Sequence, residues 1–289
     1  MKIAITGGKG GTGKSTVATA LSVEMARKIP TMILDCDVEG PNDHILLSIH
    51  RKKMKDVEAV LPDMDHEKCQ KCGTCAKICT QSAIVFVKGR YPILIPDQCN
   101  GCGTCILACP YKAITSGEKV IGTLYEGHLN KNAVDAEISK NFLLLSGEVE
   151  PGCESTSAVV RATREYAEKL YSKYDLMIVD TPAGTHCNVI SSMQDLDMAF
   201  AVAEPTPLGK HDLELILDLL KVMEIEAKII VNKSSIGDIN LIKNVSKEYG
   251  VEIVGKIPYE EGILKNYSKG IPVFHDSISS IASYMGEII

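Results

Sequence analysis

A glycine-rich segment, Gly7 to Thr16 (GGKGGTGKST), constrains this chain more than any other. It follows an apolar run, Lys2 to Thr6, that predicts a buried strand, and it precedes Val17 to Arg27, whose apolar residues have helical spacing. In this context, backbone N–H groups and a helix N-terminus bind phosphate. Lys14 can reach the β- and γ-phosphates, and the Ser15 hydroxyl can ligate Mg²⁺. The predicted nucleotide-binding residues of the loop are Gly8, Lys9, Gly10, Gly11, Thr12, Gly13, Lys14, Ser15 and Thr16.

The same glycines also fit a dinucleotide-binding pattern, Gly8-x-Gly10-x-x-Gly13, and Asp35 lies at a suitable distance to bind a ribose. A dinucleotide site, however, has no use for a lysine and a serine at the start of the helix. A nucleoside triphosphate bound with Mg²⁺ needs both. The lysine–serine pair of the loop therefore favours a nucleoside triphosphate over NAD.

Composition limits the classes of protein that remain. The chain has 289 residues, enough for a full α/β core and a smaller module, and its net charge of −6 offers no general attraction to nucleic acid or to an anionic membrane. We expect no signal peptide, because the first predicted strand starts at Lys2, and no apolar run approaches the ~18 residues of a membrane span. Eleven cysteines in such a chain indicate a cytoplasmic protein whose reduced thiols bind metal.

Acidic residues follow two of the predicted strands. Asp35 and Asp37 come after the second strand, and Asp180 ends the buried run DLMIVD. Because ligands bind at the carboxyl ends of parallel strands, we interpret Asp180 as the aspartate that holds Mg²⁺ through water. We interpret the segment after Asp35 as a functional loop. The alternative is a capped turn before a helix that begins at Asn42 or Asp43.

Apolar strands alternate with amphipathic helices in the rest of the chain. This alternation predicts an α/β fold: a doubly wound, mostly parallel sheet with helices on both faces, as in P-loop nucleotide-binding domains. Lys119 to Leu124 is expected to be an edge strand. Asn232 and Lys233 close another strand, where they contact the nucleotide base or form a solvated strand end. Further strands are predicted at Asn141–Leu145, Met198–Ala203, Ala227–Asn232 and Glu252–Gly255, and helices at Ser155–Leu170, Leu208–Met223, Ile236–Tyr249 and Asp276–Ile289.

A stretch of different composition interrupts this alternation. Cysteines with the spacing C-x-x-C-x-x-C-x-x-x-C begin at Cys69, and the same spacing begins again at Cys99. A short apolar segment follows each set, so a unit of about 30 residues is duplicated. Eight cysteines at this spacing are typical of two [4Fe–4S] clusters, whereas zinc sites use C-x-x-C pairs.

The fourth ligand of such a cluster normally comes from the other repeat. The predicted ligands of the first cluster are Cys69, Cys72, Cys75 and Cys109, and those of the second are Cys99, Cys102, Cys105 and Cys79. Pro110 follows one of the fourth cysteines but Thr80 follows the other, which loosens that turn without removing a ligand. The stretch resembles a small α+β, bacterial-type two-cluster ferredoxin. We predict it as an inserted domain at residues 63–116, within a P-loop ATPase domain formed by residues 1–62 and 117–289.

Several motifs together resemble the MinD/ParA family of P-loop ATPases, which includes the nitrogenase iron protein and the iron–sulfur carrier ATPases. The resemblance covers essentially the whole chain outside the cysteine-rich insert. With the insert, the chain is similar to the MinD-superfamily ATPases that contain a ferredoxin domain. The matching motifs are the deviant Walker A sequence KGGTGKS from Lys9, Asp35-x-Asp37, Asp180-x-Pro182-x-Gly184, the run AEPTP from Ala203, and Asn232-Lys233.

The resemblance implies a homodimer that binds and hydrolyses ATP with Mg²⁺. Lys9 would reach across the dimer to the partner's phosphates, Asp37 would orient the attacking water, and Asn232 would contact adenine. No stable membrane anchoring is implied, because membrane cycling depends on a basic C-terminal helix that this sequence lacks. The implied catalytic residues are Lys9, Lys14, Asp37 and Asp180, and the implied Mg²⁺ ligands are Ser15, Asp37 and Asp180.

Three cysteines lie outside the insert. Cys153 in a Pro-Gly turn and Cys187, seven residues after Asp180, resemble the two cysteines with which the nitrogenase iron protein holds a cluster on its dimer axis. The resemblance implies a third [4Fe–4S] cluster, shared by Cys153 and Cys187 of two subunits. The alternative is that both are buried or redox-active thiols. Cys36, between two acidic residues, is interpreted as a packed or semi-exposed thiol.

Three functions remain open. In the first, the ATP state gates electron transfer from the clusters to a partner redox protein. In the second, the protein assembles or carries clusters for an apo iron–sulfur protein. In the third, it is a regulatory switch whose clusters sense redox state. Carrier ATPases use a late C-x-x-C, and none follows Cys109. This absence and the eight well-spaced cysteines favour electron transfer.

Overall fold

The computed structural model describes residues 1–130, 134–153 and 155–289. The chain divides into two compact units. The first unit consists of Met1–Met54, Leu124–Glu148 and Val160–Ile289, and the second consists of Lys55–Thr123 and Val149–Val159. Both cysteine repeats therefore lie in the second unit, and the glycine-rich loop lies in the first.

The described residues form eleven strands. Nine of them make one sheet with the order β11-β10-β9-β1-β8-β2-β7-β6-β3, and β4 pairs with β5 in a separate hairpin. The strands are β1 Lys2–Thr6, β2 Thr31–Asp35, β3 Lys52–Met64, β4 Ile84–Val85, β5 Ile93–Leu94, β6 Ile114–Gly127, β7 Phe142–Val149, β8 Leu176–Asp180, β9 Met198–Ala203, β10 Glu226–Val231 and β11 Ile253–Lys256.

The central strands of the sheet run parallel, as the sequence predicts. In their register, Asp180 at the end of β8 lies opposite Ile5 of β1 on one side and opposite Asp35 of β2 on the other. The carboxyl ends of these three strands therefore meet at one edge of the sheet. This edge brings the glycine-rich loop and both acidic segments together.

Alternating side chains bury both faces of this parallel sheet. Ile3 and Ile5 pack into one core cluster with helices α1 and α11, whereas Ala4 packs into a second cluster with helices α8 and α9. The helices are α1 Lys14–Met25, α2 Asp43–Leu46, α3 Thr74–Ile78, α4 Thr104–Ala108, α5 Ala136–Asn141, α6 Thr156–Tyr171, α7 Cys187–Ser192, α8 Pro207–Val222, α9 Ile239–Tyr249, α10 Glu261–Tyr267 and α11 Asp276–Ile288. Among the described helices, none is both long and apolar enough to span a membrane.

The edge of the sheet differs from the prediction. The segment from Lys119 belongs to the long strand β6, and β3 rather than β6 forms the edge. Gly117 lies against Leu61 and Gly127 against Ile49, so β3 and β6 run in opposite directions. The prediction missed β3 because most of its side chains are exposed or half-buried and charged residues dominate its first half.

The two cysteine repeats of the second unit share one backbone geometry. Gly73 and Gly103, thirty residues apart, both adopt left-handed conformations, with φ of 77° and 69°, and each precedes a short helix, α3 or α4. Ser82 and Lys112 repeat the pattern with φ of 53° and 49°. The duplication in sequence is thus a duplication in structure.

Candidate functional site

The glycine-rich loop connects β1 to α1 and approaches its neighbours closely. Gly13 caps α1 with a φ of 88°, a conformation that favours glycine, and a Cβ atom there would collide with the Asn232 amide. A Cβ atom at Gly8 would collide with the backbone of Asp212 on α8. The loop therefore needs glycine for its backbone conformation at one position and for space at the other.

Lys14, the first residue of α1, points back into the loop. Its side chain is buried, and its Nζ donates to the Lys9 carbonyl oxygen at 3.2 Å. Burial lowers the pKa of Lys14, although the charges of Asp180 and Asp37 act to raise it. A buried cation at a helix N-terminus, surrounded by backbone N–H groups, is suited to bind a polyphosphate.

An open cleft of about 640 Å³ runs from this loop across the first unit. Its floor is polar near the loop and apolar farther away, which suits a phosphate chain followed by an aromatic base. The polar lining residues are Gly10, Gly11, Gly13, Lys14, Ser15, Thr16, Asp37, Asn42, Asn232 and Lys233, and the apolar ones include Ala183, Ile257, Pro258, Tyr259 and Ile263.

Asp35 shapes the loop that follows β2. One carboxylate oxygen accepts the backbone N–H of Asp37 at 3.1 Å, and the other accepts those of Asn42 and Asp43 at 2.9 and 3.1 Å. Helix α2 begins at Asp43. Asp35 therefore caps the turn, as one interpretation predicts, and Asp37 lines the cleft, where its function stays a prediction.

Three buried carboxyl groups meet beneath the cleft. Oxygen atoms of Asp35, Asp43 and Asp180 lie within 4.8 Å of one another, and no side chain of the three is more than 1% exposed. Burial raises the pKa of Asp35 to about 7 and that of Asp180 to about 8, and it raises the pKa of Asp43 well above its ordinary value. Neither carboxylate oxygen of Asp180 has a hydrogen-bond partner among the described residues.

Asp43 is the member of this group that sequence reasoning missed. Both of its carboxylate oxygens are buried without a hydrogen-bond partner among the described residues. In sequence it is an ordinary acidic residue in the first turn of a helix, a position that acidic residues favour for electrostatic reasons. Only the packing of α2 against the strand ends shows that Asp43 is enclosed. A cation or shared protons must balance the three carboxyl groups.

We expect protein without magnesium and nucleotide to lose stability as the pH rises. A carboxyl group whose pKa is raised by folding keeps a proton that the unfolded chain releases, so its stabilising contribution is lost as the pH approaches the folded pKa, about 7 for Asp35 and about 8 for Asp180. In Asp43→Asn, the loss of unfolding free energy between about pH 5 and about pH 8 should shrink by about 1 kcal/mol or more. Urea unfolding in EDTA, followed by circular dichroism, measures the difference.

Asp195→Asn is the matched control, because Asp195 is exposed and lies outside this group. Its pH profile should follow that of the unmodified protein. If the free energy of unfolding changes with pH equally in Asp43→Asn and Asp195→Asn, Asp43 does not retain a proton in the folded state.

The loop after β8 is tied to the glycine-rich loop. The Thr181 hydroxyl donates to the Ile5 carbonyl oxygen at 3.2 Å and lies 3.0 Å from the Thr6 hydroxyl. The Gly184 N–H donates to the Gly7 carbonyl oxygen at 3.4 Å. The segment that follows Asp180 therefore contacts the end of β1 and the first residue of the glycine-rich loop.

Asn232 and Lys233 both hold the glycine-rich loop. The Asn232 Nδ2 donates to the Thr12 carbonyl oxygen at 2.8 Å, and the Lys233 Nζ donates to the Gly11 carbonyl oxygen at 2.9 Å and pairs with Glu204. The sequence left open a base contact or a solvated strand end. These hydrogen bonds add a third role, because they tie the end of β10 to the phosphate loop.

Lys9 turns toward its own chain. Its Nζ lies 3.9 Å from the Asp212 Oδ2 on α8, and this oxygen is buried with no hydrogen-bond partner in the part of the chain that the structure describes. The side chain of Lys9 is 27% exposed. Because the Asp212 oxygen is buried, another anion must outcompete it for the partly exposed Lys9 ammonium.

In the second unit, the eight cysteines line two cavities. Each cavity receives three cysteines from one repeat and the last cysteine of the other repeat, and neither lining includes a carboxylate or an imidazole from the described side chains. The first cavity is lined by Cys69, Cys72, Cys75 and Cys109, and the second by Cys79, Cys99, Cys102 and Cys105.

Hydrogen bonds prepare several of these sulfurs to act as thiolates. The Thr74 hydroxyl lies 3.3 Å from the Cys72 Sγ and lowers the pKa of that thiol. The Thr104 hydroxyl lies 3.3 Å from the Cys102 Sγ and lowers its pKa in the same way. The Ala113 N–H donates to the Cys109 Sγ at 3.3 Å. Four soft donors, with no carboxylate or imidazole among the described lining side chains to compete with them, fit an iron–sulfur cluster in each cavity.

The remaining cysteines occupy different environments. Cys36 is fully buried, and burial raises the pKa of its thiol, which matches the interpretation as a packed thiol. Cys153 is half-buried in a turn of the second unit, where its N–H donates to the Glu150 carbonyl oxygen at 3.0 Å. Cys187 is exposed at the first position of α7 in the first unit.

Known proteins are similar to this chain in sequence or in fold. An uncharacterized protein of Methanocaldococcus jannaschii is 32% identical over 93% of this chain and 90% of its own length. The iron-sulfur cluster carrier protein of the same organism is 24% identical over 94% of this chain and 77% of its own length. The cell division ATPase MinD of Pyrococcus furiosus has a similar fold, with a TM-score of 0.60 and 17% identity, over 100% of this chain and 99% of that one.

The family comparison extends over nearly the whole chain. The sequence profile described as the CobQ/CobB/MinD/ParA nucleotide binding domain matches residues 3–273. This span includes the glycine-rich loop, the strand ends that carry Asp35 and Asp180, and Asn232, which donates a hydrogen bond to the loop. The chain therefore belongs to the CobQ/CobB/MinD/ParA family of nucleotide-binding domains.

Proposed function

We propose that this protein is a magnesium-dependent ATPase in which the nucleotide state gates electron transfer from two [4Fe–4S] clusters to a partner redox protein. The observation that carries the proposal is the presence, in one chain, of a phosphate-binding loop and two cavities that are each lined by four cysteines. A P-loop ATPase domain accounts for the phosphate-binding loop. An inserted bacterial-type ferredoxin domain at residues 63–116 accounts for the two cysteine-lined cavities.

The first unit supplies the residues for ATP binding and hydrolysis. Lys14 and the loop N–H groups bind the β- and γ-phosphates, and the backbone needs no reorganisation because Asn232 and Lys233 already hold the loop. Asp37, which lines the cleft, positions the attacking water. Mg²⁺, when bound with ATP, neutralises phosphate charge near Ser15 and Asp180.

The second unit supplies the cluster ligands. We assign Cys69, Cys72, Cys75 and Cys109 to one cluster and Cys79, Cys99, Cys102 and Cys105 to the other. When bound, these clusters supply one-electron redox chemistry. The chain itself contributes thiols of lowered pKa at Cys72 and Cys102, which favours the thiolate form that iron requires.

Coupling between the units follows from the chain connections. Asp37 lies on the loop after β2, and β3 begins ten residues after Asn42 and leads into the second unit. In a homodimer that encloses ATP, Lys9 leaves Asp212 and contacts the partner's phosphates. Loss of the γ-phosphate then releases this contact and the loop around Asp37. Cys153 and Cys187 of the two subunits can hold a further cluster in such a dimer.

Cluster delivery to an apo-protein is the alternative function. The observation that favours it is the similarity to archaeal iron-sulfur cluster carrier proteins, at 23 to 24% identity. Against it stands the ligand set, because two cavities that each receive a cysteine from both repeats hold their clusters in an interlocked way. Such clusters are more readily reduced and oxidised than released.

Single-turnover electron transfer separates the two functions. Protein reduced with dithionite and then desalted is mixed anaerobically with an oxidised low-potential viologen dye, with or without MgATP. We expect MgATP to raise the rate of dye reduction about tenfold or more, and Lys14→Ala to abolish this increase. In parallel, activation of apo-aconitase measures cluster transfer. Loss of iron from the protein with activation of aconitase, and no effect of ATP on dye reduction, would favour the carrier function instead.

A further inference from the structure

The charge of the cysteine-bearing segment is opposite to that of the remaining chain. Since the whole chain has a net charge of −6 and residues 68–117 have a net charge of +5, the other residues carry −11. The segment contains a single acidic residue, Asp97. Its basic residues are Lys68, Lys71, Lys77, Lys88, Arg90 and Lys112. The second unit as a whole is close to neutral, with eight basic and nine acidic residues, so the positive charge is confined to the segment that carries the cysteines.

The hairpin of β4 and β5 exposes an apolar pair on this unit. Val85 lies opposite Ile93 in the antiparallel register, and these side chains are 45% and 66% exposed, whereas Ile84 on the other face is 5% exposed. Val87, just beyond β4, is 62% exposed. Solvent-facing positions of a hairpin are normally polar, so an exposed apolar group of this kind indicates a contact surface.

The inner residues of the same hairpin line both cavities. Ala83 and Ile84 line the cavity of Cys99, and Pro92 lines the cavity of Cys69. Val85 and Ile93 directly follow Ile84 and Pro92 in the chain, and consecutive Cα atoms are about 3.8 Å apart. The outer surface of the hairpin is therefore one residue away from the lining of each cavity.

Basic residues lie in the turn of the hairpin. Lys88 and Arg90 are both exposed in the turn between β4 and β5. Beside them, Tyr91 stacks on His66 with ring centroids 4.3 Å apart, and the Lys71 ammonium lies 4.2 Å from the Tyr91 ring centroid. These ring contacts fix the end of the turn. An apolar centre with a basic border matches a partner that has an acidic surface.

We propose that the outer hairpin face, Val85, Val87, Ile93, Lys88 and Arg90, is the docking surface for an acidic redox protein. The proposal rests on the proposed electron-transfer function and names the chemistry of its partner. One electron leaves a reduced cluster and enters the partner's redox centre; no bond forms or breaks, and no proton moves. The electron comes originally from dithionite or an equivalent low-potential reductant.

An anionic membrane is a less suitable occupant. The residues outside the segment carry −11 and would be repelled by an anionic surface, whereas a small acidic protein can contact the hairpin alone. The hairpin also contributes lining residues to both cavities, a position that serves electron transfer and has no role in membrane attachment.

Binding to two redox proteins of opposite charge tests the proposal. Calorimetry on the cluster-loaded protein measures the affinity for an acidic flavodoxin and for basic cytochrome c, at low and at high salt. We expect flavodoxin to bind, and its affinity to fall with salt. Lys88→Glu with Arg90→Glu should weaken flavodoxin binding about tenfold at low salt. Val85→Ser with Ile93→Ser should weaken it at every salt concentration.

Lys243→Glu with Lys247→Glu is the matched control, because it makes the same charge change on the exposed side of α9 in the first unit. Flavodoxin affinity should then stay within about twofold of the original, and the iron content of every variant is checked. Equal flavodoxin binding by both charge variants would overturn the docking surface, as would stronger binding of cytochrome c. Hairpin-dependent binding to phosphatidylglycerol vesicles, or hairpin-dependent self-association without flavodoxin binding, would overturn it as well.

The two proposals fail separately. If flavodoxin binding depends on the hairpin but MgATP does not affect dye reduction, the docking surface stands and the gating function fails. If MgATP accelerates dye reduction but both charge variants bind flavodoxin equally, the function stands and the docking surface fails.

Discussion

Lys14→Ala is expected to lower ATP hydrolysis by about 10²–10³-fold. The Lys14 ammonium is buried at the start of α1 and lies near Asp180 and Asp37, so no other described side chain can supply its charge to the phosphates from the same position. Phosphate release under anaerobic conditions measures hydrolysis. Fluorescence of a labelled ATP analogue measures binding, which should also weaken.

Lys9→Ala is the informative companion to Lys14→Ala. In one protomer, Lys9 contacts Asp212 and not the cleft, so its loss should leave ATP binding intact. Hydrolysis should nevertheless fall, because the proposed dimer needs Lys9 at the partner's phosphates. Lys210→Ala, which changes an exposed lysine on α8, controls for charge. Full hydrolysis by Lys14→Ala would contradict the assignment of the phosphate-binding loop.

Two double variants with the same number of cysteines removed are expected to differ sharply in iron content. Cys75→Ala with Cys109→Ala removes two residues that line one cavity, whereas Cys75→Ala with Cys79→Ala removes one residue from each cavity. We expect about eight iron atoms per chain in the reconstituted protein, about four in the first variant and about none in the second. Iron and sulfide analysis, together with the EPR amplitude of the reduced protein, measures this.

The comparison tests which cysteines share a cluster. If each cluster used the four cysteines of one repeat, the two results would be exchanged: the Cys75 and Cys79 variant would keep about four iron atoms and the Cys75 and Cys109 variant would keep none. Cys36→Ala, at a buried thiol that lines neither cavity, is the control and should keep all its iron. About ten iron atoms per chain in the unmodified protein would indicate a further cluster shared between subunits.

Local sequence was sufficient wherever neighbouring residues in the chain form the site. The loop from Gly7 to Thr16 and the spacing of the cysteines each encode their own geometry, because a strand, a turn and the first turn of a helix fix where backbone and side-chain donors point. The carboxyl ends of parallel strands were also predictable, and they bring Asp35 and Asp180 together as expected.

Contacts between residues far apart in the chain were not predictable in this way. Asp43 appeared to be an ordinary helix N-terminal residue, and its burial depends on how α2 packs against β2 and β8. Lys9 and Asp212 are separated by more than two hundred residues, as are Asn232 and Thr12. The strand β3 lacked a clear apolar pattern because it forms the edge of the sheet.

The sequence by itself determined that this chain carries a phosphate-loop motif at Gly7 to Thr16 and offers eight thiols in two equal sets, because both properties depend on spacings of a few residues. Only the tertiary structure decided that Asp43 joins Asp35 and Asp180, that Asn232 and Lys233 hold the phosphate loop, and that residues of one hairpin line both cavities. The physical reason is that burial and long-range hydrogen bonds depend on packing between elements, which no local pattern of residues specifies.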